Sequence, residues 1–490
     1  MKKTISVFIS FFVFCFILLG MFGCSIKPKD EGKIPTTTSS DEAKQNFIKG
    51  RDLTESLQGQ ESLQYLNKAI QADSTFAVAY LIRSAFQPTA KDFFDDLNKA
   101  VSFAGNASQG EQLMISGFEA GVNANPLKQI ADYEKLVTFY PKDERAHNLL
   151  AGAYFGQFED QKAIDEYKKA SEINPNYSPT YNSLGYAYRR VENYPESEKA
   201  FQKYIQLIPN DPNPYDSYAE LLLKEGKFDA AIENYQKALS HNSGFVSSKV
   251  GIAAAYMYQG KYEESRKELQ QLFDSARNDG EKRTALFNMA VIYADEGKPD
   301  MALTEMEKEY AIAENLNDYG NMSGDLAAMG TVLYESGKYK EALDKFEKSV
   351  EAFDKSASSQ ALKDNVKLGI LYNESSIAMK QNDFKTASEK ADQFMTGVKA
   401  INNSNQIRLA HELMGMIALE QKKPDDCLAH MKDANQQNPY VFYYTAKAYE
   451  LKGDKQKAKE FYDKVINFNV IPGFNAAFAR YNAKNMLKGL

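Results

Sequence analysis

Three side chains in this 490-residue sequence have the types and spacing of a metal site: His411, Cys427 and His430. Cys427 and His430 stand three apart, one turn along a single helix, and His411 falls on the helix before it. A thiolate and two imidazoles are zinc ligands. Yet Cys427 occupies a position that recurs along the chain as Ala, and His411 one that recurs as Tyr. Packing accounts for both, and no metal or other cofactor is expected. His147 also falls on a recurring aromatic position, and His241 lies near a helix end. Carboxylates are plentiful, but they sit among lysines at helical spacing, as Glu263 and Lys267 do, and no general acid–base pair stands out. The pairs Gly226-Lys227, Gly260-Lys261, Gly297-Lys298 and Gly337-Lys338 lack the rest of a phosphate loop, and the strings GxGxxG, HExxH, GxSxG and CxxC are absent. The run Tyr440-Val441-Phe442-Tyr443-Tyr444 could stack on a sugar, but Phe442 falls on a recurring core position. The chain reads as non-catalytic.

Composition narrows the classes further. Hydrophobic residues make up 43% and charged residues 26% of the chain, which argues against wholesale disorder. The net charge of −7 argues against a general affinity for nucleic acid. With 3 Cys and 4 His there is no disulfide framework and no multi-metal enzyme. Trp is absent, whereas Tyr and Phe number 30 each, so any stacking surface must use those two residues.

The amino end carries its own signal. Lys2 and Lys3 precede an apolar run from Ile5 to Phe22, followed by Gly23-Cys24. A basic head, an apolar core and a small residue before the cut are the parts of a secretory signal; a retained membrane anchor is the alternative. The segment Leu18-Leu19-Gly20-Met21-Phe22-Gly23-Cys24 resembles a bacterial lipoprotein signal, although Met21 and Phe22 depart from the preferred residues. The resemblance implies that Cys24 becomes the first residue and carries acyl chains that hold the protein on a membrane without a spanning helix. Ser25 stands where some Gram-negative bacteria place Asp for inner-membrane retention, so the resemblance leans towards the outer membrane of the bacterial cell envelope. The polar stretch that follows, up to residue 42, reads as a flexible tether.

Beyond the tether the sequence repeats. Pro141, Pro175 and Pro209 are spaced by 34, with Ser243 in the next equivalent place. Between them recur Tyr181, Leu184, Gly185, Tyr188 and Phe201 in one unit and Tyr215, Tyr218, Ala219, Leu222, Ala231 and Tyr235 in the next. Apolar residues three and four apart put one stripe on each of two helices, a small residue lets the helices close up, and Pro ends the second. The pattern resembles the tetratricopeptide repeat (TPR) family, a 34-residue helix–turn–helix unit. The resemblance implies an all-α fold, an α-solenoid wound as a right-handed superhelix of about twelve helix pairs.

On this reading residues 1–23 are the signal and 24–42 the lipidated Cys and tether. Degenerate pairs fill 43–141, regular repeats 142–279, further repeats 280–472 and a capping helix 473–490. Wider linkers are expected near Asn317–Ser323 and Asp354–Ala361. In the family the first helix of each pair lines a concave groove. Mapped onto this chain, the solvent-facing groove positions include Asn148, Asn182, Tyr186, Arg189, Asp216, Glu220, Tyr258 and Tyr334. Such a row can hydrogen-bond and stack on an extended peptide, so the expected role is a membrane-anchored scaffold with a protein or peptide partner. The alternative is a surface lipoprotein that binds glycan or another nutrient. The Lys/Asn/Arg clamp with which one subclass grips a C-terminal carboxylate is not reproduced.

Overall fold

A computed structural model describes residues 32–56, 58–87 and 89–489. The signal segment and Cys24 lie outside the described residues. Within them 25 α-helices account for the fold and there is no strand. None of these helices is long and apolar enough to cross a membrane.

Twelve antiparallel pairs follow one another from Asp41–Glu55 with Gly59–Ala72 to Pro439–Leu451 with Lys455–Ile466, and Phe474–Leu487 closes the chain. The two helices of a pair pack on each other, and each second helix packs on the next first helix. First helices of successive pairs also touch one another, while second helices do not pack together to a comparable extent. The first helices are therefore the inner wall of the curve. An all-α solenoid of twelve pairs is what the 34-residue period implied.

Local chemistry sets each unit. Between the helices of a pair the chain makes a left-handed turn, as at Gly226 with φ 75°. There the Gly226 amide donates to Leu223 and the Lys227 amide to Leu222, which closes the end of the first helix. After each second helix a short turn leads to the next cap. The Asp143 carboxylate accepts from the amides of Arg145 and Ala146, and Asp211 accepts from Asn213. Packing within a unit needs the small residue: a Cβ on Gly185 would lie 2.4 Å from the Phe201 ring. Phe201, Tyr204 and Tyr235 are fully buried.

The later units differ from expectation. Near Asn317 the helices lengthen in place of a wide linker, Asp279–Asp295, Pro299–Asn315 and Tyr319–Glu335 having 17 residues each; Gln360–Lys380 has 21, and ahead of it residues 355–359 do form the expected linker. Asn317 and Asp318 form a tight turn, and Ser323 is inside a helix. The added turns of helix absorb the extra length that periodicity alone assigns to loops.

Two returns of the chain shape the interior. The closing helix packs against Pro439–Leu451 and Lys455–Ile466, and also runs inward against the distant first helix Asp279–Asp295. The curve is also tight enough for successive turns of the solenoid to meet. The Ser404 amide donates to the Gln157 side chain, Asn405 to the Gly156 carbonyl and Gln437 to the Arg190 carbonyl. The Arg408 guanidinium lies 5.2 Å from the Phe158 ring centre.

Candidate functional site

The inner wall is divided among three stretches, two of them covered by the chain itself. At the amino end Lys33–Thr38 runs in extended form across the starts of helices Gln109–Val122 and Glu144–Gly156. The Ile34 amide donates to Asp143 at 2.8 Å, and the Thr37 amide donates to Glu111 at 2.9 Å. Thr38 donates its hydroxyl hydrogen to Asp73, and Lys33 pairs with Glu144. The part of the expected tether from residue 32 onward is thus docked, because the acidic partners along its path are already placed by helix ends: Glu111, Asp143 and Glu144 at helix starts and Asp73 just after a helix. Ser40 caps the first helix, which begins at Asp41. Beside the docked segment an apolar cavity of about 430 Å³ is lined by Phe47, Leu81, Phe86, Met114 and Phe118, with Asn148 at its border.

The central stretch holds most of the expected groove residues on successive first helices, and hydrogen bonds join Tyr186, Arg189 and Glu220 among them. Thr180 donates to the Asn148 side chain at 3.1 Å. The Asn182 side-chain oxygen is buried without a partner. Tyr186 donates towards Ser217 and Glu220 at 3.3 and 3.2 Å. Arg189 lies 4.6 Å above the Tyr186 ring and donates to the other Glu220 oxygen at 3.0 Å. Asp216 accepts from Ser248 at 2.7 Å, and burial followed by the nearby Glu220 charge pushes its carboxyl up to about 7. Burial also holds the Tyr186 phenol well above its ordinary range. Beneath them the Tyr235 hydroxyl is buried with no partner. Sequence periodicity reads Tyr235 as core alone, and nothing in its repeat position signals that its polar tip reaches this network.

Asp216, only 4% exposed, and the last two positions are enclosed where solvent exposure was expected. Tyr258 is 7% exposed because the carboxyl-terminal segment lies on it: its hydroxyl donates to Val470 at 2.7 Å and accepts from the Val470 amide at 3.1 Å. Arg480 from the closing helix sits 4.7 Å from the Tyr258 ring and pairs with Asp295 at 3.0 Å. Lys224 lies 3.9 Å from the Phe468 ring. Tyr334 lines a cavity between four first helices, where its hydroxyl is buried without a partner.

His411 and His430 meet through their Nδ1 atoms at 3.2 Å. Cys427 is fully buried and points its thiol towards the Tyr444 carbonyl. No group of three His, Cys, Asp or Glu side chains is placed to hold a metal ion among the described residues. His147 is tied within its own unit, to Glu166 at 2.6 Å and to the Pro141 carbonyl at 3.1 Å.

Tetratricopeptide repeat family models match residues 144–177, 166–199, 222–286, 281–355 and 440–468. Superkiller complex protein 3 of Homo sapiens is 25% identical over 185 residues, 36% of this chain. A TPR repeat-containing protein of Methanocaldococcus jannaschii is 25% identical over 355 residues, 69% of this chain. The chain spans 11% of the length of the first and 57% of the second. Among solved structures, a tetratricopeptide repeat protein from Parabacteroides merdae is 14% identical, with a TM-score of 0.38, over 53% of this chain and 97% of its own. The period, the twelve stacked pairs and the five matched segments converge: this chain is an all-α solenoid that carries tetratricopeptide repeats.

Proposed function

We propose that this protein is a bacterial cell-envelope lipoprotein, anchored through acylated Cys24, that serves as a non-catalytic scaffold for a protein partner held on its inner wall. The observation that carries the scaffold reading is the docked segment Lys33–Thr38. Its backbone amides are taken up by Asp143 and Glu111, so the starts of the first helices already hold extended chain in this fold. The central stretch from Asn148 to Glu220 continues that wall with side chains of the same kind. It offers carboxylate and amide acceptors, an Arg over a Tyr, and an unsatisfied Asn182 oxygen. A partner strand lying there would find donors and acceptors at the spacing of successive first helices. The repeats shared with Superkiller complex protein 3, which is by name part of a complex, support the interaction class and leave the partner open. The anchor rests on the residues around Cys24 alone.

The test is photo-crosslinking in intact cells, with the probe at Asn182 on the inner wall and, as control, at Glu263 on an exposed second helix. We expect a discrete protein adduct from Asn182 and none from Glu263. Absence of any adduct, in cells shown to contain the protein, would count against a held partner. Labelling with an alkyne fatty acid, retained in the native chain and lost in Cys24→Ala, tests the anchor separately.

A further inference from the structure

The inner wall near the carboxyl end closes into a cavity of about 320 Å³. Its walls come from the first helices Tyr319–Glu335, Gln360–Lys380, Ser404–Glu420 and Pro439–Leu451, and Asn475 of the closing helix completes it. Four phenol rings line it, those of Tyr334, Tyr372, Tyr440 and Tyr444, together with the carboxyl groups of Glu335 and Glu412. No Lys, Arg or His is among its lining residues. Two acids enclosed with these four phenols and the Phe346 ring, with Lys380 acting on Glu335 only from outside the lining, form an unbalanced set, since burial penalises an uncompensated carboxylate.

The hydrogen bonds show what is missing. The Tyr440 hydroxyl donates to one Glu335 oxygen at 2.5 Å, and Asn438 donates to one Glu412 oxygen at 2.8 Å. Tyr372 points its hydroxyl at the Met416 thioether, 3.9 Å away, and the Tyr334 hydroxyl has no partner. Tyr440 and Tyr444 stack with ring centres 5.8 Å apart, which stiffens one wall. Tyrosine faces attract a cation, and carboxylate and phenol oxygens accept N–H bonds. The volume suits a small molecule rather than a folded partner.

We propose that this cavity binds a small aliphatic primary amine in its ammonium form, seated among the four tyrosines with its N–H groups donating to Glu335 and Glu412. This site is separate from the peptide-holding wall around Tyr186 and does not depend on it. A quaternary ammonium would satisfy the rings but leave the oxygen acceptors idle, and a neutral alcohol would leave both carboxyl groups uncompensated.

The experiment is titration calorimetry on the full-length chain with n-butylammonium, tetramethylammonium and n-butanol at matched ionic strength. We expect one-to-one saturable binding of n-butylammonium only. Glu412→Gln should weaken it by roughly tenfold or more, and Tyr334→Phe by a few-fold. Tight binding of tetramethylammonium or n-butanol, or no saturation below about 10 mM n-butylammonium, would overturn the proposal. Tyr334→Phe deletes a hydroxyl that has no partner in the free protein, so it tests the site even where Glu412→Gln does not fold. Undiminished affinity in folded Tyr334→Phe would also overturn it.

Discussion

At Asp216, Glu309 and Glu412 the fold buries carboxyl groups almost completely. Burial pushes Asp216 and Glu412 up to about 7 each, and burial with the Asp325 charge raises Glu309 against the pull of Arg283. A carboxyl whose native value is raised keeps its proton after the unfolded chain has lost it. Its contribution to stability is therefore complete in acid and is lost as the pH rises through the native value. We expect the thermal transition to fall between about pH 5 and about pH 8, and Glu412→Gln, which cannot ionise, to flatten part of that slope and match the native chain near pH 5. Melting curves at the two ends of the range decide it; an unchanged slope would mean that Glu412 ionises freely. Backbone conformation gives a second residue-scale test. The left-handed turn that Gly226, Gly260, Gly297 and Gly337 make at φ 75–80° is made elsewhere by Lys422 at φ 62°. Lys422→Gly should stabilise the protein by about 1 kcal/mol, read from the urea midpoint.

Elements were legible where a residue's repeat position decides its surroundings. Gly185, Ala231 and Pro209 each announce a close approach or a helix end within their own unit, and the twelve pairs follow from them. Tyr258 and Tyr334 were assigned to the inner wall by the same logic, and they do lie on first helices. Their enclosure could not be read that way. It depends on chain that returns from far along the sequence, and a 34-residue period contains no information about such contacts. The closing helix shows the principle. Arg480 looks like one more helical cation until it meets Asp295, which is 1% exposed and also accepts from Tyr262 at 2.7 Å. Removing Arg480 leaves the buried Asp295 carboxylate with only the longer Lys484 contact, at 3.4 Å, to compensate it. Arg480→Met should cost about 3–5 kcal/mol, and Asp295→Asn combined with Arg480→Met less than the single change. Urea unfolding of the three variants measures the difference, and a single-variant loss below about 1 kcal/mol would remove the closing helix from the structural framework.

Across the whole molecule, contacts between turns add a term that an open solenoid lacks. In an array held only by neighbours, losing the last units leaves distant ones untouched. Here Gly156, Gln157 and Arg190 are bonded to residues 404, 405 and 437. A chain ending at residue 400 should therefore show faster amide hydrogen exchange at 155–158 and 190–193, far from the cut, while 228–241 changes little. Uniform behaviour at both places would mean that the turns touch without stabilising one another.

The meeting of the turns also bears on how such a protein can change over evolutionary time. Repeat arrays ordinarily lengthen and shorten by duplicating or losing a unit, since each new pair needs only its two neighbours. Gaining or losing one pair between Arg190 and Ser404 would carry every later residue a full step around the spiral. Asn405 would leave Gly156 and Gln437 would leave Arg190, and a change after Asp295 would also carry the closing helix to the wrong rung. Unit number in this chain is thereby locked by geometry, and single substitutions, rather than copying of units, become the accessible route to new specificity.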